Sequence, residues 1–331
     1  MIVDIYTHIF PNDFYERMSK VAPSLGNIGK RMQAVREVHD LGARFRAMDP
    51  YGDYRQIISL PNPPIEDYTT PEQGIELARI GNDTMAELVE KNRDRFPGFV
   101  AALAMHNMDE TMDELHRAVK DLGAVGVQIF TNVKGRPLDH PDYEPVFKAM
   151  HEYDLPIWMH PARTSSMTDY AAEEKSRYEI WWALGWPYET SVAMVRLVFW
   201  GIFDRYPGIK ILTHHLGGMI PYFEERVGAG LAVLGARTTD EDYSQVLSSL
   251  KRPHGEYFRM FYGDTAMFGS SMAFPSGMEF FGPDHVVFST DAPFAPVAAT
   301  FESLKRMEYE SDVQKKLYLG NAEKLMNRTF S

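Results

Sequence analysis

Eight short apolar runs divide this chain, and segments of helical period lie between most of them. The runs read "IVDIY" at the start, "RQIISL" (55–60), "GFVAALAMH" (98–106), "VGVQIF" (125–130), "PIWMH" (156–160), "IKILTHH" (209–215), "RMFYGDT" (259–265) and "VVFSTDAPF" (286–294). Between them, apolar residues three and four apart predict helices over 71–96, 108–123, 142–154 and 190–208. Strands separated by helices pair in parallel, because only a crossover connection returns the chain in the same direction. Eight such units suit a (β/α)8 barrel, whose usual size is about 250 residues before insertions. A doubly wound open sheet is the rival, but no Gly-rich fingerprint follows the first strand. We therefore read residues 1–331 as a single α/β domain, a distorted (β/α)8 TIM barrel with insertions after strands 1 and 5. The first insertion (9–50) carries Arg31, Arg36, Arg44 and Arg46; the second (161–189) contains "YEIWWALGWPYE". Such aromatic density argues for an ordered lid or subunit contact over disorder.

Composition narrows the partners. The chain has no cysteine, which excludes disulfides and thiolate metal sites. A net charge of −12 argues against nucleic acid, whose phosphates need a basic surface. No apolar run has the length of a membrane span, and the first strand begins at Ile2, before any signal peptide could fit. The expectation is a cytoplasmic protein with a small-molecule partner.

In a barrel, chemistry lies at the carboxyl ends of the strands. Those ends carry His8, His106, Gln128, His160, His214, His215, Asp264 and Asp291. Taken singly, His106 and His151 read as hydrogen-bonded core residues. His8, His160 and Asp291 together would face one cavity, and buried ionisable groups there need a metal ion or a network to satisfy them. Imidazole and carboxylate donors point to a nitrogen/oxygen metal site. His214 and His215 are adjacent, so strand alternation turns only one of them inward. Asp264 is either a catalytic carboxylate or an Asx-turn in "YGDT". Arg31, Arg36 and Arg163 are candidates for holding a substrate carboxylate. In the first strand, alternation predicts Asp4, Tyr6 and His8 on one face and Val3, Ile5 and Thr7 on the other.

These residues resemble a known family. "VDIYTHIFP", "WMHP", "ILTHHLGGMIPYFEERV" and "FSTDAPF" are similar to the amidohydrolase superfamily, in the decarboxylase branch that includes amino-carboxymuconate-semialdehyde and γ-resorcylate decarboxylases. Further segments extend the likeness from about residue 2 to residue 328. The resemblance implies the barrel fold and a homodimer or homotetramer; no lysine stands at these strand ends to bridge two ions, so one divalent ion is expected, zinc first for its imidazole ligands and manganese second. It implies His8, His160 and Asp291 as metal ligands and His215 as the active-site histidine, with Arg31 near a substrate-binding arginine. Tyr6 is the departure, since the family places histidine or glutamate there. Either it ligates the metal as a phenolate, or it stands back from a looser site, or the chain binds no metal.

Two chemistries fit such a site. One is non-oxidative decarboxylation of a hydroxy-aromatic or muconate-type acid, with Asp291 or His215 moving the proton; the other is hydrolysis of a C–C, lactone or amide bond by a metal-activated water. The resemblance favours decarboxylation, and the tryptophan-rich insertion would stack a planar substrate. A barrel that binds a ligand without turning it over rests on Tyr6 alone.

Overall fold

The computed structural model describes residues 1–22, 26–239 and 241–330, with all their side chains except those of residues 26–28 and 31. Eight parallel strands form the frame: β1 (Ile2–His8), β2 (Tyr54–Ser59), β3 (Gly98–Phe99 and Ala101–Ala102), β4 (Val127–Phe130), β5 (Ile157–His160), β6 (Ile211–Thr213), β7 (Tyr262–Asp264) and β8 (Val286–Val287). Each is bonded in parallel to the next. Ile5 N donates to Phe288 O at 3.1 Å and His8 N to Ala292 O at 2.7 Å, which brings the end of β8 against β1. The (β/α)8 TIM barrel expected from the sequence is the fold.

The expected helices are present with shorter bounds. Pro71–Lys91 starts at a capping box between Thr70 and Gln73. Met108–Lys120 is capped by the Asn107 side chain, and Glu144–Tyr153 stops at Asp154, which has a left-handed backbone. The helix expected over 190–208 is two, Gly185–Trp200 and Ile202–Arg205. Gly201, at φ 78, ends the first, and a residue with a Cβ adopts that conformation poorly. Among the described residues no helix is long and apolar enough to cross a membrane.

The barrel interior is one apolar cluster contributed by different strands, with Val3, Ile5, Ile57, Val100, Trp158, Leu212 and Val287 at its centre. Ala322, Leu325, Met326 and Phe330, from the carboxyl-terminal segment, belong to the same cluster. Trp158 crosses the barrel and donates its Nε1–H to Ile5 O at 2.9 Å. Gly126 leaves room for it: a Cβ there would stand 2.5 Å from the Trp158 ring and 2.3 Å from Pro156 O.

Strand β1 departs from simple alternation. Asp4 pairs with Gln56 but Thr7 pairs with Ile58, so β1 carries one more residue than β2 over this stretch, a β-bulge. Ile5 and Tyr6 therefore both join the interior cluster, and the expected column of Asp4, Tyr6 and His8 does not form. Asp4 and Thr7 turn outward into a buried polar layer. Asp4 accepts from Tyr54 Oη at 2.6 Å and Thr290 Oγ1 at 2.5 Å, while Arg44 donates to Thr7 Oγ1, His8 O and Gln56 Oε1.

Burial pushes the Asp4 carboxyl up to about 7, with the hydrogen bonds from Thr290 and Tyr54 opposing it. The folded state thus holds a proton on Asp4 more tightly than the unfolded chain does. Stability from this group is full below the unfolded value of 3.8 and is lost as pH rises towards about 7. The stability advantage of wild type over Asp4→Asn should shrink across that window in urea titrations; a pH-independent difference would contradict the assignment.

Candidate metal centre and cavity

Buried side chains converge at the carboxyl end of the barrel. His8 ends β1, His160 ends β5, His214 follows β6, Asp264 ends β7 and Asp291 lies beyond β8. The ring nitrogens of His8, His160 and His214 lie within 4.8 Å of one another, and His214, His215 and Asp291 form a second such group. His8 Nε2 is 3.3 Å and His214 Nε2 is 3.7 Å from Asp291 Oδ1.

Hydrogen bonds on the far side of each ring fix its orientation. Ser59 donates to Thr7 O, so its oxygen accepts from His8 Nδ1–H at 3.1 Å. The carbonyl of Pro161 accepts from His160 Nδ1–H at 2.8 Å, and Asp264 accepts from His214 Nδ1–H. In all three rings Nδ1 is engaged, which leaves Nε2 for the shared centre.

Charge follows the same pattern. Burial, then the neighbouring His214 and His8, hold His160 well below the usual imidazole range. Burial lowers His8 as well, with Asp291 opposing, and burial with His214 takes His215 down to about 3. Burial would lower His214 too, but Asp264 and Asp291 outweigh it and push it up to about 9. Burial acts to raise Asp291, yet His214 and His8 hold it well below the usual carboxylate range. Burial, then Asp264 and Asp291, keep the Tyr6 phenol neutral. The protonated His214 thus supplies positive charge where two carboxylates meet.

Tyr6 Oη, His8 Nε2, His214 Nε2 and His215 Nδ1 are buried without hydrogen-bond partners. Orphaned nitrogen donors beside an ionised carboxylate are a donor set that fits a divalent metal ion.

Above this centre lies a cavity of about 420 Å³, bordered by His8, His160 and Asp291 below and by Trp181, Trp182 and Trp186 from the second insertion. A second chamber of about 290 Å³ shares Trp182, Trp186, Phe268 and Asp291 with it and reaches His215. The Trp186 ring stands edge-on to His160 and is stacked on His215 at 6.3 Å.

Several sequence expectations change here. Arg163 is not on the cavity wall: its guanidinium is engaged by Glu189 at 2.8 Å and by Thr168 O. Arg36 is exposed and pairs with Asp40. The side chain of Arg31 lies outside the described residues; among the described residues, Lys30 is the cation that borders the cavity. His106 stands apart, its Nε2 bonded to Thr69 O. Alternation was to turn only one of His214 and His215 inward, but both approach Asp291. Strand β6 ends at Thr213, and left-handed backbone at His215 and Leu216 folds the second ring back. Asp264 is no mere turn residue, since it holds His214 and accepts from Leu216 N and Ala266 N at 3.1 Å each. Sequence reasoning did not select His214; the usable signal was a doubled histidine on one strand facing an aspartate at the end of the next.

A (β/α)8 barrel with imidazoles and a carboxylate at its strand ends is the architecture of a metal-dependent barrel enzyme. The amidohydrolase family pattern matches residues 3–328. Gamma-resorcylate decarboxylase of Polaromonas sp. (strain JS666) is 32% identical over 291 residues, 85% of this chain and 86% of its own. The crystal structure of 5-carboxyvanillate decarboxylase from Sphingomonas paucimobilis superposes with a TM-score of 0.83 at 26% identity, covering 99% of both chains. The corresponding enzyme of Novosphingobium aromaticivorans, solved with manganese and 4-hydroxy-3-methoxy-5-nitrobenzoic acid, gives 0.84 at 25% identity over 99% of this chain and 96% of its own. This chain belongs to the amidohydrolase family, in its decarboxylase branch.

Asp264→Ala would strand His214 and two backbone N–H groups in a buried setting. We expect a loss of about 3–5 kcal/mol in unfolding free energy. A variant as stable as wild type in guanidinium melts would show that the pair carries no such weight.

Proposed function

We propose that this protein is a metal-dependent, non-oxidative decarboxylase of a hydroxy-aromatic carboxylic acid, with His8, His160 and Asp291 among its metal ligands. The observation that carries the reading is a tryptophan-walled cavity whose floor is that donor set. A divalent ion held there would supply Lewis-acid charge to a carboxylate and a neighbouring hydroxyl. Imidazole donors suit zinc, while the manganese in the Novosphingobium relative makes manganese the first ion to test. A cytoplasmic homo-oligomer is part of the same proposal.

The chain's own residues do the rest. Trp181, Trp182 and Trp186 wall the substrate ring and keep water out, which strengthens every charge interaction inside. Lys30, at the rim, attracts the anionic substrate. Asp291, ionised at rest, or His215, neutral at rest, takes a proton from the substrate hydroxyl and delivers it to the ring carbon that bears the carboxylate. The electrons of the ring–carboxylate bond then restore aromaticity as carbon dioxide leaves, so charge and atoms balance. His215 suits the work because its neutral ring has an unpartnered Nδ1 and stacks on Trp186.

The test is turnover of 2,6-dihydroxybenzoate and 5-carboxyvanillate by manganese- or zinc-loaded protein in deuterium oxide. Carbon dioxide release with deuterium at the vacated carbon is expected. Solvent oxygen entering a product without carbon dioxide would instead mean hydrolysis. His160→Ala and Asp291→Ala should each lose the ion and the activity together. His215→Asn should keep the ion while kcat falls by about 10²–10⁴-fold; full activity in any of the three would overturn its role.

A further inference from the structure

We infer that Asn62, on the loop after β2, is a specificity-determining residue: its amide oxygen accepts a hydrogen bond from a second ring hydroxyl, one beyond the hydroxyl beside the reacting carboxylate. The inference rests on the decarboxylase reading above and narrows its substrate to an acid with two ring hydroxyls.

The bonding around Asn62 carries it. Asn62 borders the larger cavity and is itself only 7% exposed, whereas Lys30 and Glu179, on the same wall, are exposed. Its Nδ2–H donates to Pro161 O at 3.1 Å. That bond fixes which way the amide lies, because the flipped amide would set two oxygens against each other. The amide oxygen is thereby turned away from Pro161 and has no partner among the described residues, on a side chain that faces the cavity. Pro161 O also accepts from His160 Nδ1–H at 2.8 Å, so one carbonyl sets Asn62 in register with an imidazole of the cavity floor. Pro61 and Pro63 flank Asn62 and restrict the backbone on either side of it. The acceptor is thus held in place before any substrate arrives.

A fixed acceptor in a tryptophan-walled pocket sorts ring substituents by what they offer. A hydroxyl donates to it and replaces the hydrogen bond that it gave to water. A hydrogen or a methoxy group offers no donor, and a second carboxylate would set its negative charge against the amide oxygen. Closing the pocket over such a substrate leaves the oxygen desolvated and unpaired, a cost that the hydroxylated substrate does not meet. Sites built to bond a substrate hydroxyl reject the analogue that lacks it for this reason.

The experiment uses the full chain, loaded with manganese, and reads carbon dioxide release. The acids are salicylate, 5-carboxyvanillate, the dihydroxybenzoates with one hydroxyl beside the carboxylate, and the methyl ether of each at its other hydroxyl. For wild type, at least one dihydroxybenzoate should exceed both salicylate and its own methyl ether in kcat/KM by about 10–100-fold, the cost of leaving a buried acceptor unsatisfied. Asn62→Leu, with neither donor nor acceptor on its side chain, should bring both ratios to within about threefold of one. Loss of the tie to Pro161 alone would lower turnover of every acid alike and leave the ratios unchanged, so the ratios separate recognition from support. Ratios unmoved in Asn62→Leu overturn the inference. The wild-type comparison tests it even where that variant does not fold: methyl ethers turned over as fast as their parents, or carbon dioxide from 5-carboxyvanillate alone, overturn it while decarboxylation stands. No carbon dioxide from any of these acids overturns the decarboxylase reading, and this inference with it.

Discussion

The extra residue in strand β1 is the constraint on which the site depends. Without the bulge, alternation from Val3 and Ile5 would turn Thr7 into the barrel and carry Tyr6 and His8 out of it with Asp4. With it, Asp4 and Thr7 leave the interior and tie the strand to Tyr54, Thr290 and Arg44. Ile5 and Tyr6 fill the barrel, and His8 arrives at its mouth beside Asp291. The carbonyl of Ile5 is taken by Trp158, from the far side of the barrel, so the irregular strand is held from within and from without. One inserted residue thus sets both the packing beneath the centre and the direction of its first imidazole.

Above the bulge, the centre is a problem in charge. Asp264 and Asp291 are buried within reach of His214, and an uncompensated carboxylate there would cost several kcal/mol. Protonation of His214 balances them in the absence of a cation. A divalent ion meets the same need while leaving the imidazole neutral, which makes metal binding and loss of that proton two sides of one equilibrium. The tryptophan wall matters for the same reason, because excluding water magnifies whatever positive charge remains.

Much of this was legible in the sequence. Apolar runs of strand length gave eight strands, and turn residues fixed where the helices stop, because both signals are local. His8, His160 and Asp291 stood out because barrel topology brings strand ends together whatever the loops do. What escaped was non-local. The bulge appears only when β1 is set against β2, residue by residue. Arg163 is engaged by Glu189, which lies far along the second insertion in the helix Gly185–Trp200, and nothing near Arg163 in the chain announces it. His214 was passed over for His215, since alternation holds only while the strand lasts, and β6 ends one residue before the pair. The helix around Gly201 was read as continuous, because one glycine in a long apolar pattern does not by itself declare a left-handed turn.

The most direct measurement is an anomalous difference map from a crystal soaked in manganese. The account predicts a single strong peak at the barrel mouth, beside His8 Nε2, His160 and a carboxylate oxygen of Asp291. A peak away from His8, His160 and Asp291 would contradict the ligand set. The absence of any peak in that pocket would contradict the metal-dependent reading.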